Sequence, residues 1–509
     1  MHEKNIRRII TKQLKKSFPN WKKMTRKSKK ELTKQIVMEV VENYDYSQTL
    51  GMPIEELIGV EDQTPSAGIR NLPEMAAYIE NFHSDNLFHF DTLKKPYLEI
   101  VDPELQFIDQ LIDDQIINSL IAPDGYSAAH RNIQPYQLFR MELLKIIKYP
   151  EISYRKFCSD EYFGRERKQN RRFVGLPLNT KMQADHTELC HFRRGLKFKQ
   201  LMNVLVYSLH HFYKSGCLEN AVIHGVDSSE LPSEVNYPLC TIQIKGKKIR
   251  IYSDPDCDCG KRRNKRDKSY YVIGYRLHTL TAINPKTGHS FPLVSLVGAA
   301  NHHDSLFLKP LIKIAQAMGI DIKLITADQA YHDSEGSVLN ETGVYVVAPA
   351  SEKAGLPDNV LKSPLRVACN DSCQIPMQFL GSTPSGHEFG CDAAAGECAL
   401  ESNCPKSRIV DFDSGYFQPM PTFHSGSQNA IKIRKNCERP FNLMKKREGL
   451  EQTRVRSQHG VIVRSTLTTI VTLLIEMVGT RHKPIKKDDG QKELFAATGW
   501  IEHLMLDFF

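Results

Sequence analysis

Residues 221–231 read AVIHGVDSSEL, an apolar run that reaches a single aspartate, Asp227. The run has the composition of a buried strand, whereas carboxylates are almost never fully buried unless they are paired or bound to a metal ion. A second apolar run, IDIKLITAD at 320–328, stops in the same way at Asp328. The sequence therefore predicts two strands that each end on a carboxylate.

The segments around these two runs alternate between strand and helix patterns. YYVIGYRLHTLTAI (270–283) and HSFPLVSLVGAA (289–300) predict a hairpin across the turn formers of NPKTG. SLFLKPLIKIAQAMG (305–319) has helical periodicity and stops at a glycine, and GVYVVAP (343–349) predicts another strand. This order predicts an α/β fold with a mixed sheet. In open sheets of this class, ligands bind at the carboxyl ends of the strands.

The rest of the chain divides by composition. A helical pattern runs from about Pro135 to Tyr213, and it includes Asp185 as an N-cap with Glu188 at the capping-box spacing. The basic stretch GRERKQNRRF at 164–173 fits a phosphate contact and a solvated loop equally well. Residues 351–429 are rich in Gly, Ser, Pro and Cys and show little periodicity, and the helical pattern returns at about Asn436. We expect a basic arm at 1–50, a helical N-terminal domain at 51–215, an α/β core at 216–350 and 430–480, an insertion at 351–429 and a tail at 481–509.

Charge favours a soluble protein with a polyanionic partner. The chain of 509 residues has a formal net charge of +9, and its first 35 residues hold 13 Lys or Arg against two acidic residues. Further basic clusters are KRRNKRDK at 261–268 and the segment 434–447. Separate clusters suit nucleic acid, although a solvated face explains any one of them. No signal-peptide pattern follows the first charges, and TIVTLLIEMVG at 469–479 is too short to span a bilayer. We therefore expect a cytosolic protein.

The helical stretch RKNCERPFNLMKKREG, which starts at Arg434, offers a third carboxylate. Arg434, Glu438 and Lys445 are spaced by four and seven residues, which at about 100° per residue puts them within roughly 40° of one another. An ordinary salt-bridged face explains the same spacing. Glu448 and Glu451 are rival carboxylates, but neither has a basic residue at both matching offsets. Paired carboxylates in a basic protein favour Mg²⁺, which usually takes one or two carboxylates together with substrate phosphates.

At these residues the sequence resembles bacterial insertion-sequence transposases of the DDE type, whose catalytic core is ribonuclease H-like. HGVDSSEL resembles the first site of that family, ITADQAYHD the second, and R-x3-E-x6-K its Tyr-Arg-Glu-Lys signature. The stretches YSDPD (252–256), VIGYRLH (272–278) and ANHHDS (300–305) also have counterparts there. The resemblance covers about 130–350 and 430–480. It implies a ribonuclease H-like mixed sheet with a helical N-terminal domain and an insertion before the last catalytic helix.

The resemblance also implies a mechanism. Asp227, Asp328 and Glu438 would be catalytic and would hold two Mg²⁺ ions, with Mn²⁺ as a substitute and Asp227 as the bridge. Arg434 and Lys445 would contact DNA phosphates. The implied activity is DNA transposition: the enzyme cleaves the ends of an insertion sequence and joins them to target DNA by hydrolysis and transesterification. The implied partners are double-stranded DNA, both terminal inverted repeats and target, and further copies of the chain in a homodimer or larger complex. The implied location is the cytoplasm of a bacterium, associated with the nucleoid.

The sequence departs from this family in two places. The tyrosine of the signature falls at Ile431, and Pro440 follows two residues after Glu438. Because proline costs about 3 kcal/mol in a helix interior, the helix either starts near Asn436 or is kinked there. Two other functions stay open: an inactive or domesticated DNA-binding protein derived from a transposase, and a metal-dependent nuclease of the same fold that cuts without joining.

The insertion carries a cluster of cysteines. Their spacings differ from the CxxC pairs of zinc ribbons, so unligated thiols are the simpler interpretation and a structural Zn²⁺ is a secondary hypothesis. His387 lies nearby in the sequence, and His278, His302 and His303 are expected around the carboxylates. The cysteines are Cys369, Cys373, Cys391, Cys398 and Cys404.

Overall fold

The computed structural model describes Thr25 and most of residues 98–482. The gaps within the second range are 122–132, 215–217, 219–220, 222, 236, 245–246, 255, 264–267, 285–287, 334–335, 350–359, 363–364, 369–374, 384, 392–405, 413–416 and 452–456. The arm predicted at 1–50, apart from Thr25, and nearly all of the tail predicted at 481–509 lie outside the described residues.

The first described region is helical, as predicted. Its helices are α1 (Pro103–Leu111), α2 (Asp114–Ile121), α3 (Pro135–Lys148), α4 (Tyr154–Phe157), α5 (Asp160–Phe163), α6 (Lys168–Val174), α7 (His186–Gly195) and α8 (Phe198–Lys214). Asp185 caps α7 by accepting a hydrogen bond from the Glu188 amide at 2.8 Å, which confirms the predicted cap. Helices α1 and α2 lie in the N-terminal domain predicted at 51–215, before the helical pattern that the sequence shows from about Pro135.

A buried arginine ties these helices together. Arg140 of α3 is 1% exposed, and its guanidinium lies 2.6 Å from a carboxylate oxygen of Asp109 and 2.6 Å from one of Asp114. It also donates to the Phe173 carbonyl of α6 at 2.9 Å. A buried charge is stable only when it is paired and hydrogen-bonded, so Arg140 fixes α1, α2 and α6 around α3.

The basic stretch 164–173 mainly serves this packing. Arg171 is fully buried and donates to the carbonyls of Phe163, Pro177 and Met182. Arg172 donates to the Leu98 carbonyl at 3.1 Å. Neither interpretation of this stretch, a phosphate contact or a solvated loop, holds for its last two arginines, because their guanidinium groups bind the protein.

A mixed sheet of six strands forms the centre of the molecule, as predicted. The elements of this region are β1 (Ile223–Pro232), β2 (Cys240–Ile244), β3 (Lys247–Ile251), β4 (Asp258–Arg263), β5 (Ser269–Ile283), β6 (Ser290–Ala299), α9 (Ser305–Ala317), β7 (Leu324–Ala327), α10 (Ser337–Thr342) and β8 (Tyr345–Val347). Strand β5 pairs antiparallel with β1, β4 and β6, which confirms the predicted β5–β6 hairpin. Strand β7 pairs parallel with β1, and β8 pairs parallel with β7. Strands β2 and β3 form a separate two-stranded sheet.

The predicted insertion contains strands of its own. They are β9 (Val360–Lys362), β10 (Leu365–Val367), β11 (Gln378–Ser382), β12 (Gly386–Gly390) and β13 (Ser407–Asp411). Strands β11 to β13 form an antiparallel sheet over a small core that includes Phe389, Val410 and Phe417. The sequence showed little periodicity here because each strand has only three to five residues.

An irregular helix follows the insertion. It comprises α11 (Ser425–Ile433), a 3-10 turn (Arg434–Cys437), α12 (Glu438–Asn442) and a π turn (Leu443–Arg447). The helix therefore begins at Ser425, where the His424 side chain caps it by accepting from the Gly426 amide. The prediction of a start near Asn436 is wrong, and the alternative, an irregularity around Pro440, is what the structure shows.

The last described helix, α13 (Gln458–His482), packs against β6 and α8. By length and composition its segment Gln458–Val478 is long and apolar enough to cross a membrane, so the prediction that this region is too short is wrong. However, 89% of the apolar window is buried inside the protein, which is the environment of a core helix. Residues Leu467, Val471 and Leu474 belong to the main hydrophobic core, together with side chains of β6 and α9.

Candidate active site

Asp227 lies in the middle of strand β1. The prediction that this strand ends at the aspartate is wrong, because β1 continues to Pro232, paired with the long strand β5. Asp227 stands opposite Thr279 of β5, and its side chain is 15% exposed. The residues before and after Asp227 in β1 are both paired with β5, so the position of its carboxylate is more restricted than it would be in a loop.

The parallel pairing of β1 with β7 brings Asp328 to Asp227. The register pairs Gly225 with Thr326 and Val226 with Ala327, so the next residues in each strand direction are Asp227 and Asp328. Asp328 directly follows β7 and caps a short 3-10 turn by accepting from the Ala330 amide at 3.0 Å. Neighbouring strands lie about 4.8 Å apart, so the backbones that carry the two aspartates are adjacent.

A glycine allows the irregular helix to approach this pair. A Cβ atom on Gly225 would overlap the Sγ atom of Cys437 in the helix. The helix is fixed to the sheet by two hydrogen bonds, from Thr326 Oγ1 to the Ala430 carbonyl at 3.0 Å and from Ser290 Oγ to the Asn436 carbonyl at 2.7 Å. Glu438 follows Cys437 directly, so this close contact carries Glu438 to the β1–β7 edge.

The charges of the site influence one another. Burial, together with the negative charges of Asp328 and Glu438, raises the pKa of Asp227 to about 6, against the opposing effects of the Ser228 amide and Arg434. One guanidinium nitrogen of Arg434 lies 3.4 Å from a carboxylate oxygen of Asp227. The charges of Asp328 and Glu438, the other two selected carboxylates, therefore act on Asp227, and one of the two selected cations lies beside Asp227.

The second cation and the two rival glutamates lie elsewhere. The Lys445 ammonium is 3.2 Å from a carboxylate oxygen of Glu451. Glu448 is 1% exposed, accepts from the Thr472 hydroxyl at 2.8 Å, and has its pKa raised to about 8 by burial. Glu448 therefore faces the core beside α13. The one-face argument for Arg434, Glu438 and Lys445 assumed a regular helix, and the 3-10 and π turns break that assumption.

A second cluster beside the aspartates was only partly foreseen. His278 is fully buried, stacks on Phe307 with ring centroids 3.8 Å apart, and shares a hydrogen bond of 3.0 Å with the Tyr331 hydroxyl. Burial lowers the pKa of His278 well below its usual value, so the ring is neutral. Asp304 is 3% exposed and paired with Arg276.

Asp304 is the residue of this cluster that sequence reasoning missed. Burial and the nearby charge of Asp328 raise the pKa of Asp304 to about 6, against the opposing charge of Arg276. The signal was available, because ANHHDS contains Asp304 between His303 and the start of α9. The other two histidines of the prediction serve the loop itself: His302 Nδ1 accepts from the Ala299 amide at 3.0 Å, and His303 Nδ1 lies 2.8 Å from Ser305 Oγ.

The donor set has the chemistry of a hard-cation site. Asp227 and Asp328 offer carboxylate oxygens side by side, which is what Mg²⁺ takes together with substrate phosphates. Within the described residues, no three Asp, Glu, His or Cys side chains are close enough to hold one ion as they lie. At least one of the three carboxylates therefore has to move if all three are to share an ion. Glu438 is exposed and is the least restrained of them.

The cysteine hypothesis falls mainly outside the described residues. Cys369, Cys373, Cys398 and Cys404 lie in the gaps, whereas Cys391 is half-buried against the small core of the insertion. His387 is buried, with Nε2 2.9 Å from the Gln418 carbonyl and Nδ1 2.8 Å from Ser382 Oγ. Both ring nitrogens of His387 thus have protein partners, which is a structural role.

The comparisons with known proteins add little. No family model matches the chain, and no curated protein matches its sequence. A solved structure described as the cryo-EM structure of a piggyBac transposase synaptic complex with hairpin DNA superposes with a TM-score of 0.27 and 10% identity, covering 80% of this chain and 85% of that chain. A TM-score of 0.27 does not establish a shared fold.

Proposed function

We propose that this chain is a metal-dependent DNA transposase of the DDE type, which cleaves the ends of a mobile element and joins them to target DNA. The observation that carries the proposal is the register of β1 on β7, which sets Asp227 beside Asp328, under a helix that brings Glu438. The strand order β6-β5-β1-β7-β8, with the first two pairings antiparallel and the last two parallel, supports a ribonuclease H-like core.

The side chains divide the work by charge. Asp227, Asp328 and Glu438 would hold Mg²⁺, or Mn²⁺ in its place. When bound, such ions stabilise the charge on the attacking and leaving oxygens of a phosphodiester displacement. Arg434, which already lies beside Asp227, is positioned to bind the phosphate next to the bond that breaks. Lys445 would contact a phosphate further along the strand, after exchanging its partner Glu451 for DNA.

The partners follow from the proposed chemistry. The net charge of +9 and the separate basic clusters suit double-stranded DNA, both element ends and target. Joining two ends to one target requires two active sites, which supports a homodimer or larger complex. A bacterial cytoplasm, with the protein on the nucleoid, is the compartment that fits this substrate.

The test uses the full chain and a linear duplex of the DNA that flanks its coding sequence. We expect nicks and joined products only with Mg²⁺ or Mn²⁺, and none from Asp227→Asn or Asp328→Asn. Asp321→Asn is the matched control, because Asp321 is an exposed aspartate just before β7 and pairs only with Lys323 among the contacts the structure describes. Binding without cleavage would favour a domesticated DNA-binding protein, and cleavage without joining a nuclease of the same fold. Equal activity in wild type and Asp227→Asn would refute the proposed site.

A further inference from the structure

Strands β4 and β5 form a two-stranded ribbon at one end of the central sheet. Residues Ser269 to Ile273 of β5 lie before the stretch that pairs with β1 and β6, and they pair with β4 instead. In this ribbon Lys261 stands opposite Tyr271. The next pair is Arg262 opposite Tyr270. Because side chains alternate along a strand, these two pairs lie on opposite faces.

One face of the ribbon is tied to the sheet. The guanidinium Nε of Arg262 lies 3.1 Å from a carboxylate oxygen of Glu230 in β1, and the Tyr270 hydroxyl donates to the same carboxylate at 3.3 Å. Arg262 also donates to the Ala300 carbonyl at 2.6 Å. These contacts hold the ribbon in place while leaving its other face to solvent.

The other face carries a tyrosine and a lysine in the open. Tyr271 is 67% exposed, and Lys261, which stands opposite it in the pairing, is exposed as well. Lys268, just before β5, is a third exposed side chain. The sequence 261–268 has six basic residues and one acidic residue, and the two of its lysines that the structure describes, Lys261 and Lys268, are both exposed. We call Lys261, Lys268 and Tyr271 the ribbon end.

This chemistry fits duplex DNA. Lysines bind phosphates regardless of sequence, and a two-stranded ribbon is narrow enough to enter the major groove. An exposed aromatic ring opposite Lys261 adds contact with sugars or base edges.

The position of the ribbon end sets a distance from the proposed cleavage site. Tyr271 and Thr279 are eight residues apart in one strand, and Thr279 stands opposite Asp227. At about 3.3 Å per residue the separation is roughly 26 Å, which corresponds to about 8 base pairs at 3.4 Å each for a duplex that runs along β5. We infer that the ribbon end binds the DNA duplex about 8 base pairs from the scissile phosphate. The inference rests on the proposed function for the position of that phosphate, but the binding itself does not require cleavage.

The first test measures DNA affinity against salt with the full chain and a duplex of about 40 base pairs from the same flanking DNA, which is several times the inferred distance. For Lys261→Ala with Lys268→Ala, we expect the slope of log affinity against log salt to become shallower by about 1.8, because each lost phosphate contact removes about 0.9. Tyr271→Ala should lower affinity with no change in slope, and Tyr271→Phe should restore it. The control is Lys313→Ala with Lys323→Ala, two lysines outside the ribbon. Lys313 lies in α9 and pairs with Glu341, and Lys323 lies directly before β7 and pairs with Asp321.

The second test maps the contact. A photoreactive p-benzoylphenylalanine in place of Tyr271 should cross-link to the duplex about 6–10 base pairs from the cleavage position of the wild type. Ribbon variants that match the control pair in affinity and slope would overturn the inference while leaving the proposed function intact. Cross-links only at distances beyond about 15 base pairs would overturn the placement. A wild-type protein that binds the duplex but does not cleave it would overturn the proposed function. The comparison of DNA affinity between the ribbon variants and the control pair would still test the inference.

Discussion

Gly225 offers the sharpest test of how the site is assembled, because a single methyl group there collides with the helix that carries Glu438. In Gly225→Ala the new Cβ would overlap Cys437 Sγ and would lie 3.2 Å from Ile283 Cδ1 and 3.4 Å from Thr326 Cγ2. The colliding sulfur is itself fully buried, so it has no solvent into which to turn. The strand and the helix must therefore move apart.

The expected cost comes from two opposing effects. Replacing glycine by alanine inside a strand is favourable by about 0.5–1 kcal/mol, because glycine loses more backbone entropy on folding. Overpacking a tight core costs about 1–3 kcal/mol. We expect the free energy of unfolding of Gly225→Ala to fall by about 1–2 kcal/mol. A misplacement of about 1 Å at a catalytic centre costs roughly 100-fold in rate, so cleavage should fall more steeply than stability.

The assay is a double-mutant cycle in urea with cleavage measured in parallel. Gly381→Ala is the control, because Gly381 lies in strand β11 and a Cβ atom added there would meet no other atom within 4 Å. Cys437→Ala removes the sulfur, so in the double variant the penalty of Gly225→Ala should largely disappear. If Gly225→Ala unfolds at the same urea concentration as Gly381→Ala, or if its effect adds to that of Cys437→Ala without coupling, the close contact does not position Glu438.

Three further predictions concern charge. Glu448→Gln should flatten the pH dependence of the free energy of unfolding between about pH 4.5 and 8. The folded-state pKa of Glu448 is raised to about 8, so its ionisation lowers stability as pH rises through that window, whereas an amide does not ionise. Urea midpoints at about pH 5.5 and about pH 8 test this. Without divalent ions, Asp227→Asn should raise the free energy of unfolding at about pH 7.5 by about 1–3 kcal/mol, as measured by urea denaturation. The reason is that ionisation of a carboxyl group whose pKa is raised to about 6 opposes folding. Added Mn²⁺ should reverse that order, because only the wild type gains binding energy. Arg140→Met should cost about 3–5 kcal/mol by leaving Asp109 and Asp114 unpaired, measured by urea denaturation and by proteolysis of the helical region.

The sequence predicted the central elements well where the hydrophobic pattern was long. The β5–β6 hairpin and helices α3, α7, α8 and α9 appear where their periodicity and turn residues placed them. It failed where the pattern was short or absent, as in strands β9 to β13 of three to five residues. The end of β1 was also misjudged, because a polar stretch after Asp227 looked like a turn, whereas its pairing with β5 keeps it extended.

The grouping of the site was predictable in residue type but not in geometry. Asp227 and Asp328 could be selected because each follows an apolar run, yet their adjacency depends on the register of β1 on β7, which no local pattern contains. Asp304 was missed because it lies in a loop, and only the fold brings its charge near Asp328.

The irregular helix explains why the three signature residues have different surroundings. Proline at 440 removes one backbone donor and disfavours a regular α-helix around it, and the chain responds with a 3-10 turn before Glu438 and a π turn after Asn442. The tighter turn directs Arg434 to Asp227, and the wider turn leaves Lys445 beside Glu451. Ile431, where the family signature has tyrosine, packs with Leu324 and Val347 and supports the helix on the sheet. Under the proposed function, an aromatic contact with DNA would therefore come from another element, and the exposed Tyr271 of the ribbon end offers one on the same strand as Thr279.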